Sequence, residues 1–253
     1  MNYIRKRALA GEFLAGGWSS LASPTSVEIT ASVGFDWILV DQEHGAGGNW
    51  NLLHQAQAAS RFSSSVIVRV PWLDRTLIRR TLDIGVGGIM VPSVNNAKEA
   101  ADAVRFAKYP PDGERGTASS SRCGTYGSRF MDYFAEANEN LLTIVQVETG
   151  ESVENAESIA AVPGVDVLFL GPLDLAVDTG LREQYKDPAF MAMLEKVGTA
   201  ARKHGKAAGI LLPDAGMISL FKKLGYTFIA CGTDTGAVLA AMRGSLKSLH
   251  EPG

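Results

Sequence analysis

The residues best suited to chemistry in this chain stand at the ends of short apolar runs. WILVD at 37–41 leads into Gln42-Glu43-His44, and VIV at 66–68 leads into Arg69. LLTIV at 141–145 leads into Gln146-Val147-Glu148, VDVLFL at 165–170 into Gly171-Pro172-Leu173-Asp174, and TFIACG at 227–232 into Thr233-Asp234. Glu148 and Asp174 offer hard carboxylate oxygens that suit Mg2+ or Mn2+, with water or substrate oxygens completing the shell. Arg69 can hydrogen-bond an oxyanion while staying charged. His44 can exchange a proton near neutral pH, and Asp41, three residues earlier, can orient it. Metal, arginine and histidine together fit an enolate reaction: the first two stabilise the enolate oxygen and the third moves the proton.

Each residue also has a plainer reading. Asp174 and Asp234 precede helical sequence and can serve as helix caps. A single loop histidine is more often only that. Convergence of several strand ends on one chemistry favours the functional reading. His54 lies in helical sequence, His204 resembles a helix C-terminal residue before Gly205, and His250 is in the tail. Cys231 sits in an apolar strand, and Cys123 has no base near it in sequence. No lysine stands at a strand end, which argues against a Schiff-base aldolase.

These positions demand a scaffold that brings strand ends together. Strands are predicted at 13–20, 37–43, 66–70, 88–94, 141–148, 165–171, 207–213 and 227–233, each followed by helical sequence. Strict alternation implies a parallel sheet with right-handed crossovers. Eight units in 253 residues imply a single closed (β/α)8 TIM barrel spanning 1–253, with its active site at the C-terminal ends of the strands. An open doubly wound sheet is disfavoured, because no GxGxxG follows the first strand. One stretch breaks the rhythm: the connection over about 110–139 is long enough to mark a functional loop, able to wrap towards the active face or a neighbouring subunit.

The bulk numbers exclude several classes. The hydrophobic fraction of 46% and charged fraction of 20% are those of a globular protein. A net charge of −3 without a clustered cationic run argues against nucleic acid. No apolar run is long enough for a membrane span, and no signal peptide is expected. The two cysteines are far apart and are expected to be free thiols in a reducing, cytoplasmic setting.

WILVDQEHG at 37–45, VRVPW at 68–72, LDIGVGGIMVPSV at 82–94, YPPDGERG at 109–116, VQVET at 145–149 and GPLDLA at 171–176 occur in the order found in the class II pyruvate aldolases of the HpcH/HpaI family, which the chain resembles over nearly its whole length. The resemblance implies a divalent metal (Mg2+ or Mn2+, with Co2+ a further candidate) held by Glu148 and Asp174. It implies that Arg69 contacts the oxygen of pyruvate or its enolate, that His44 paired with Asp41 handles the proton, and that Gln146 lines the site. The backbone at Gly171, Pro172 and Leu173 matches the segment that holds the pyruvate carboxylate. Asp83 matches an acidic position that approaches a neighbouring subunit's site. The family forms oligomers, commonly hexamers built from dimers that exchange the C-terminal helix; here that helix is expected at about 235–249. Leu173 departs from the smaller or polar residue common at its position and bears on the acceptor pocket. The implied reaction is reversible cleavage of a 4-hydroxy-2-oxo acid to pyruvate, or an analogue such as hydroxypyruvate, and an aldehyde. The rivals are an acyl-CoA thioester lyase with a cationic groove from Arg115, Arg122 and Arg129, a 2-oxo-diacid decarboxylase, and a non-catalytic metabolite-binding barrel.

Overall fold

The computed structural model describes residues 2–181 and 184–250. Eight strands form the wall: β1 (Leu14–Ser19), β2 (Trp37–Asp41), β3 (Ser65–Arg69), β4 (Gly88–Val91), β5 (Leu142–Val147), β6 (Val167–Leu170), β7 (Ala207–Leu212) and β8 (Tyr226–Thr233). Each pairs in parallel with the next, and β8 returns to β1, so the expected barrel closes. The helices are α1 (Arg5–Leu9), α2 (Pro24–Val33), α3 (Asn49–Ala59), α4 (Arg75–Asp83), α5 (Ala97–Ala107), α6 (Phe130–Asn140), α7 (Gly150–Glu154), α8 (Ala156–Ala160), α9 (Pro172–Thr179), α10 (Pro188–Lys203), α11 (Ile218–Lys223) and α12 (Asp234–His250).

Local chemistry sets several of these boundaries. Ser23 caps α2, with Pro24 in the first turn. Asp74 caps α4 by accepting from the amides of Thr76 and Leu77, each at 2.8 Å. The chain leaves α4 through Gly85, whose φ of 82° only glycine adopts cheaply. The helical sequence after β5 forms two short helices, divided at Asn155, whose side chain donates to the Asn95 carbonyl.

Side chains alternate along each strand, so two apolar cores form. Ile38, Val40, Val66, Val68, Val145 and Val147 face outward to the helices. Trp37, Leu39, Ile67, Met90, Leu142, Ile144, Phe169 and Phe228 fill the barrel interior. Trp37 stacks on Phe228 at 4.2 Å between centroids and meets Phe169 edge-on. Gly16 makes room, since a Cβ there would fall 2.1 Å from the Trp37 ring. Ile4 and Ala8, on and beside α1, plug the lower end. Arg5 anchors that plug through Asp166 at 2.9 Å.

The long connection is not a structureless loop. It holds a 3-10 segment over Arg122–Gly127 and helix α6, whose Phe130, Phe134 and Ala137 share one face. It stays at the N-terminal end of the barrel. There it borders a cavity of about 480 Å³ shared with Ser64 and Gly87, the residues that lead into β3 and β4.

Trp37→Ala removes the largest fully buried side chain of the inner core. It is expected to cost about 3–5 kcal/mol of stability, read from denaturant unfolding. A loss under about 1 kcal/mol would show that the lower barrel collapses around the gap.

Candidate active site

The inner parity of the strands runs unbroken from core to mouth. On β2 it passes from Trp37 and Leu39 to Asp41; on β3 from Ile67 to Arg69; on β5 from Leu142 and Ile144 to Gln146, with Glu148 just beyond. The last inward position of each of these three strands is therefore polar. Register places Asp41 beside Arg69.

Arg69 is only 7% exposed. Its Nε donates to Asp41 Oδ1 at 2.9 Å and its Nη2 to Asp41 Oδ2 at 2.6 Å, a two-point fork. Glu43 Oε2 stands 2.9 Å from Arg69 Nη1, off the line of the N–H bond, so it supplies charge without a hydrogen bond. The guanidinium carbon lies 5.0 Å from the Trp18 ring centroid, and the Trp18 indole N–H donates to Asp41 Oδ2 at 3.4 Å. Burial pushes the Asp41 carboxyl up, but hydrogen bonds and charge from Arg69, with the amides of His44 and Glu43, outweigh it and hold the group below its ordinary 3.8.

Gln146 carries the connection onward. Its Oε1 accepts from Arg69 Nη1 at 3.4 Å and its Nε2 donates to Glu148 Oε2 at 2.9 Å. The other oxygen, Oε1, accepts from the Ser93 amide at 2.7 Å and the Ser93 hydroxyl at 3.0 Å. Burial raises the Glu148 carboxyl above 4.5; Ser93 opposes this, and the Asp174 carboxylate adds to it. Gly171 lies against Glu148, because a Cβ there would come within 2.6 Å of Oε2. Asp174 is exposed in the first turn of α9, where a negative charge suits the helix dipole. Helix α9 starts at Pro172, so amides at its first turn are open to an anion. Leu173 is 65% exposed beside them.

Two carboxylates in electrostatic contact, one of them buried, fit a divalent cation by donor chemistry. Among the described residues no three His, Cys, Asp or Glu form a ready-made cage. A hard cation held by one or two carboxylates, with other oxygens supplied from solution, needs none.

Two expectations need correction, those for Asp41 with His44 and for the arginine groove, and two further residues, Asp83 and Asp234, have structural partners. Asp41 does not orient the His44 ring: both its oxygens are taken by the guanidinium fork, and it reaches His44 only through that residue's backbone amide at 3.2 Å. The ring itself is 69% exposed at the rim, with Nε2 3.8 Å from Glu43 Oε2, beyond hydrogen-bond range. Asp83 ends α4 on the opposite side of the barrel and pairs with Arg115 at 3.0 Å. Arg115, Arg122 and Arg129 form no cationic groove at the mouth. Arg115 is buried on Asp83 and Tyr133, Arg122 donates to the carbonyls of Ile84 and Gly85, and Arg129 pairs with Asp132. Asp234 is a structural tie: it accepts from the Ser19 and Ser26 hydroxyls and the Ser20 amide at 2.7–2.9 Å.

Sequence reasoning missed Glu43, Trp18 and Ser93. Glu43 keeps the inward parity of β2 but lies two residues past its last residue, Asp41, and burial raises its carboxyl above the usual value although Arg69 opposes the rise. Ser93 lies inside the motif at 82–94, but nothing in the sequence singles out its hydroxyl; its φ of 53° marks it out in the structure.

The Asp41–Arg69 pair carries a pH signature. Because the folded carboxyl titrates lower than the unfolded one, its contribution is complete above about pH 4 and is lost as pH falls through the lowered value. Asp41→Asn is expected to destabilise the fold near neutrality by about 3–5 kcal/mol, the range for breaking a buried pair. The gap from wild type should shrink only below about pH 4 in urea titrations. A gap that does not change on acidification would remove the ion pair as its source.

A family model described as HpcH/HpaI aldolase/citrate lyase matches residues 14–241. The chain is 39% identical over 240 residues to 5-keto-4-deoxy-D-glucarate aldolase of Klebsiella pneumoniae, covering 95% of this chain and 93% of that one. It is 39% identical over 254 residues to 4-hydroxy-2-oxo-heptane-1,7-dioate aldolase of Salmonella arizonae, covering 98% and 97%. Among solved structures, an HpcH/HpaI aldolase/citrate lyase family protein from Burkholderia cenocepacia superposes with a TM-score of 0.94 at 34% identity, over 99% of this chain and all of that one. With a buried arginine–carboxylate cluster at a barrel mouth and full-length likeness to aldolases, the chain belongs to the HpcH/HpaI aldolase/citrate lyase family.

Proposed function

We propose that this barrel is a metal-dependent class II aldolase that reversibly cleaves a 4-hydroxy-2-oxo acid to pyruvate, or a close analogue, and an aldehyde. The observation that carries the reading is the chain of contacts from Arg69 through Gln146 to Glu148, which sets a buried cation and a buried carboxylate at one mouth. Glu148 and Asp174 would hold Mg2+, Mn2+ or Co2+. When bound, that cation supplies the Lewis acidity that polarises the keto group and steadies the enolate.

The chain's own residues do the rest. The first-turn amides after Gly171 and Pro172 bind the 2-oxo acid's carboxylate. Arg69, aimed by Asp41 and stacked on Trp18, donates to the keto oxygen and to the enolate oxygen that develops there. Gln146 fixes the spacing between Arg69 and Glu148. His44 takes the proton from the C4 hydroxyl as the C3–C4 bond breaks and the aldehyde leaves, and the proton it holds is then delivered to C3 to give pyruvate. Glu43 is the carboxylate nearest the His44 ring and balances its charge when protonated. Leu173 forms an apolar wall facing the acceptor.

The relatives' names place two acidic 2-oxo substrates in the family, and this chain's substrate is a member of the same class. Helix α12 supports an exchanged-helix oligomer, up to a hexamer: none of its residues is buried, and Val238, Leu239, Met242 and Leu246 are all exposed. Asp83 serves a neighbouring copy in that assembly. Both cysteines are free thiols, in keeping with a cytoplasmic setting, and no described helix is long and apolar enough to cross a membrane.

Pyruvate release from a panel of 4-hydroxy-2-oxo acids, coupled to lactate dehydrogenase, is expected to need Mg2+ or Mn2+ and to stop with EDTA. Release unaffected by chelation would refute the metal. Arg69→Ala is expected to lose about 2.7–4 kcal/mol in kcat/KM, the cost of a lost oxyanion donor. Full activity in that variant would remove Arg69 from the reaction. Metal affinity should also fall on acidification. Burial raises the Glu148 carboxyl above its ordinary 4.5, and only the ionised carboxylate is a ligand, so Mn2+ binding should weaken as pH falls from neutrality, at a higher pH than an ordinary carboxylate would give. A flat profile would take Glu148 out of the ligand set.

A further inference from the structure

Glu148 is held more closely than a free metal ligand would be. A carboxylate has about four lone-pair positions. Ser93 fills two of them, both on Oε1, and Gln146 fills one on Oε2. The open position is on Oε2, where Gly171 passes close enough to exclude any Cβ.

Ser93 reaches Oε1 with both donors because its φ is 53°, a left-handed conformation unfavourable for any residue with a Cβ. Neighbouring side chains hold it there. Asn95 Nδ2 donates to the Ser93 carbonyl at 3.3 Å, the Thr149 hydroxyl donates to Asn95 Oδ1 at 2.6 Å, and Asn155 donates to the Asn95 carbonyl at 2.8 Å. The loops after β4 and β5 are thus tied together around one carboxylate oxygen.

We propose that Ser93 is a positioning residue that keeps Glu148 to one free acceptor position and so makes the site favour a small octahedral cation, Mg2+ or Mn2+, over Ca2+. The proposal rests on the reading of Glu148 as a metal ligand. Ca2+ takes roughly six to eight oxygens and readily engages both oxygens of a carboxylate, whereas Mg2+ keeps several waters and binds through one or two carboxylates. Glu148 cannot turn both oxygens to one ion while Ser93 occupies Oε1 twice. Loss of the Ser93 hydroxyl frees a position on Oε1 and admits the bidentate mode.

Mn2+ and Ca2+ affinities of the substrate-free protein, measured by titration calorimetry, test this in wild type, Ser93→Ala, Ser93→Gly and Glu148→Gln. Ser93→Gly removes the same hydroxyl and relieves the positive φ, so the comparison survives if the alanine variant folds poorly. The preference for Mn2+ over Ca2+ is expected to fall about tenfold or more in both Ser93 variants, the usual scale for an outer-shell partner. An unchanged ratio in both would overturn the role of Ser93, whatever happens to the absolute affinities. Mn2+ binding by Glu148→Gln equal to wild type would instead overturn the metal reading beneath it.

Discussion

The fork between Asp41 and Arg69 is the contact on which the mouth of the barrel depends. It joins adjacent strands at their last inward positions, so it fixes where the interior stops being apolar. A buried guanidinium is tolerated only if its donors are met. Asp41 meets two, Glu43 balances charge at a third nitrogen, and Trp18 covers the face. With Arg69 fixed, Gln146 has one orientation that satisfies both its ends, and Glu148 follows from Gln146. The site is therefore a single connected network, and a change at Asp41 is felt three side chains away.

The barrel itself was readable in the sequence because its signal repeats. Eight apolar runs with helical sequence between them leave few architectures, and their order fits the closed one. Arg69, Gln146 and Glu148 were readable for the same reason: each ends an apolar run, where the fold gathers strand termini. The partnership of Asp41 was not. Three-residue spacing in a loop suggests a carboxylate near a histidine, but the neighbouring strand brings a bidentate donor in register, and the fork outcompetes the imidazole. That competition is a tertiary fact between residues 28 apart.

Helix α6 was hidden for a different reason. The polar segment before it, with its glycines and serines, reads as loop, and the short stripe of Phe130, Phe134 and Ala137 begins only after it. Its packing beneath the barrel also explains the arginines there. Arg115, three residues after Asp112, is buried between Tyr109, Tyr133 and Asp83, where it joins the long connection to α4 rather than meeting a ligand. Asp234 does parallel work at the other end. It ties the start of α12 to Ser19, Ser20 and Ser26, one step from Trp18 and so from the face of Arg69. A helix with no buried residue is thereby fastened to the loop beside the site.

The mouth also holds its own destabilisation. Glu43 and Glu148 both resist ionisation because they are buried, and Ser93 sits in a backbone conformation that a serine does not choose. None of the three improves the fold; an apolar layer of the same shape would be easier to bury. What they share is place. Glu43 stands 2.9 Å from Arg69 and Ser93 donates to Glu148, so all three belong to the network that Gln146 carries from the buried guanidinium to the buried carboxylate. Under the proposed reading a cation would answer the carboxylates and a 2-oxo acid the guanidinium, so the cost of burying these groups would be offset on binding. The lower barrel supplies the stability that lets this be carried: Trp37, Phe169 and Phe228 interlock beneath the polar layer and fix the strand ends that bear it.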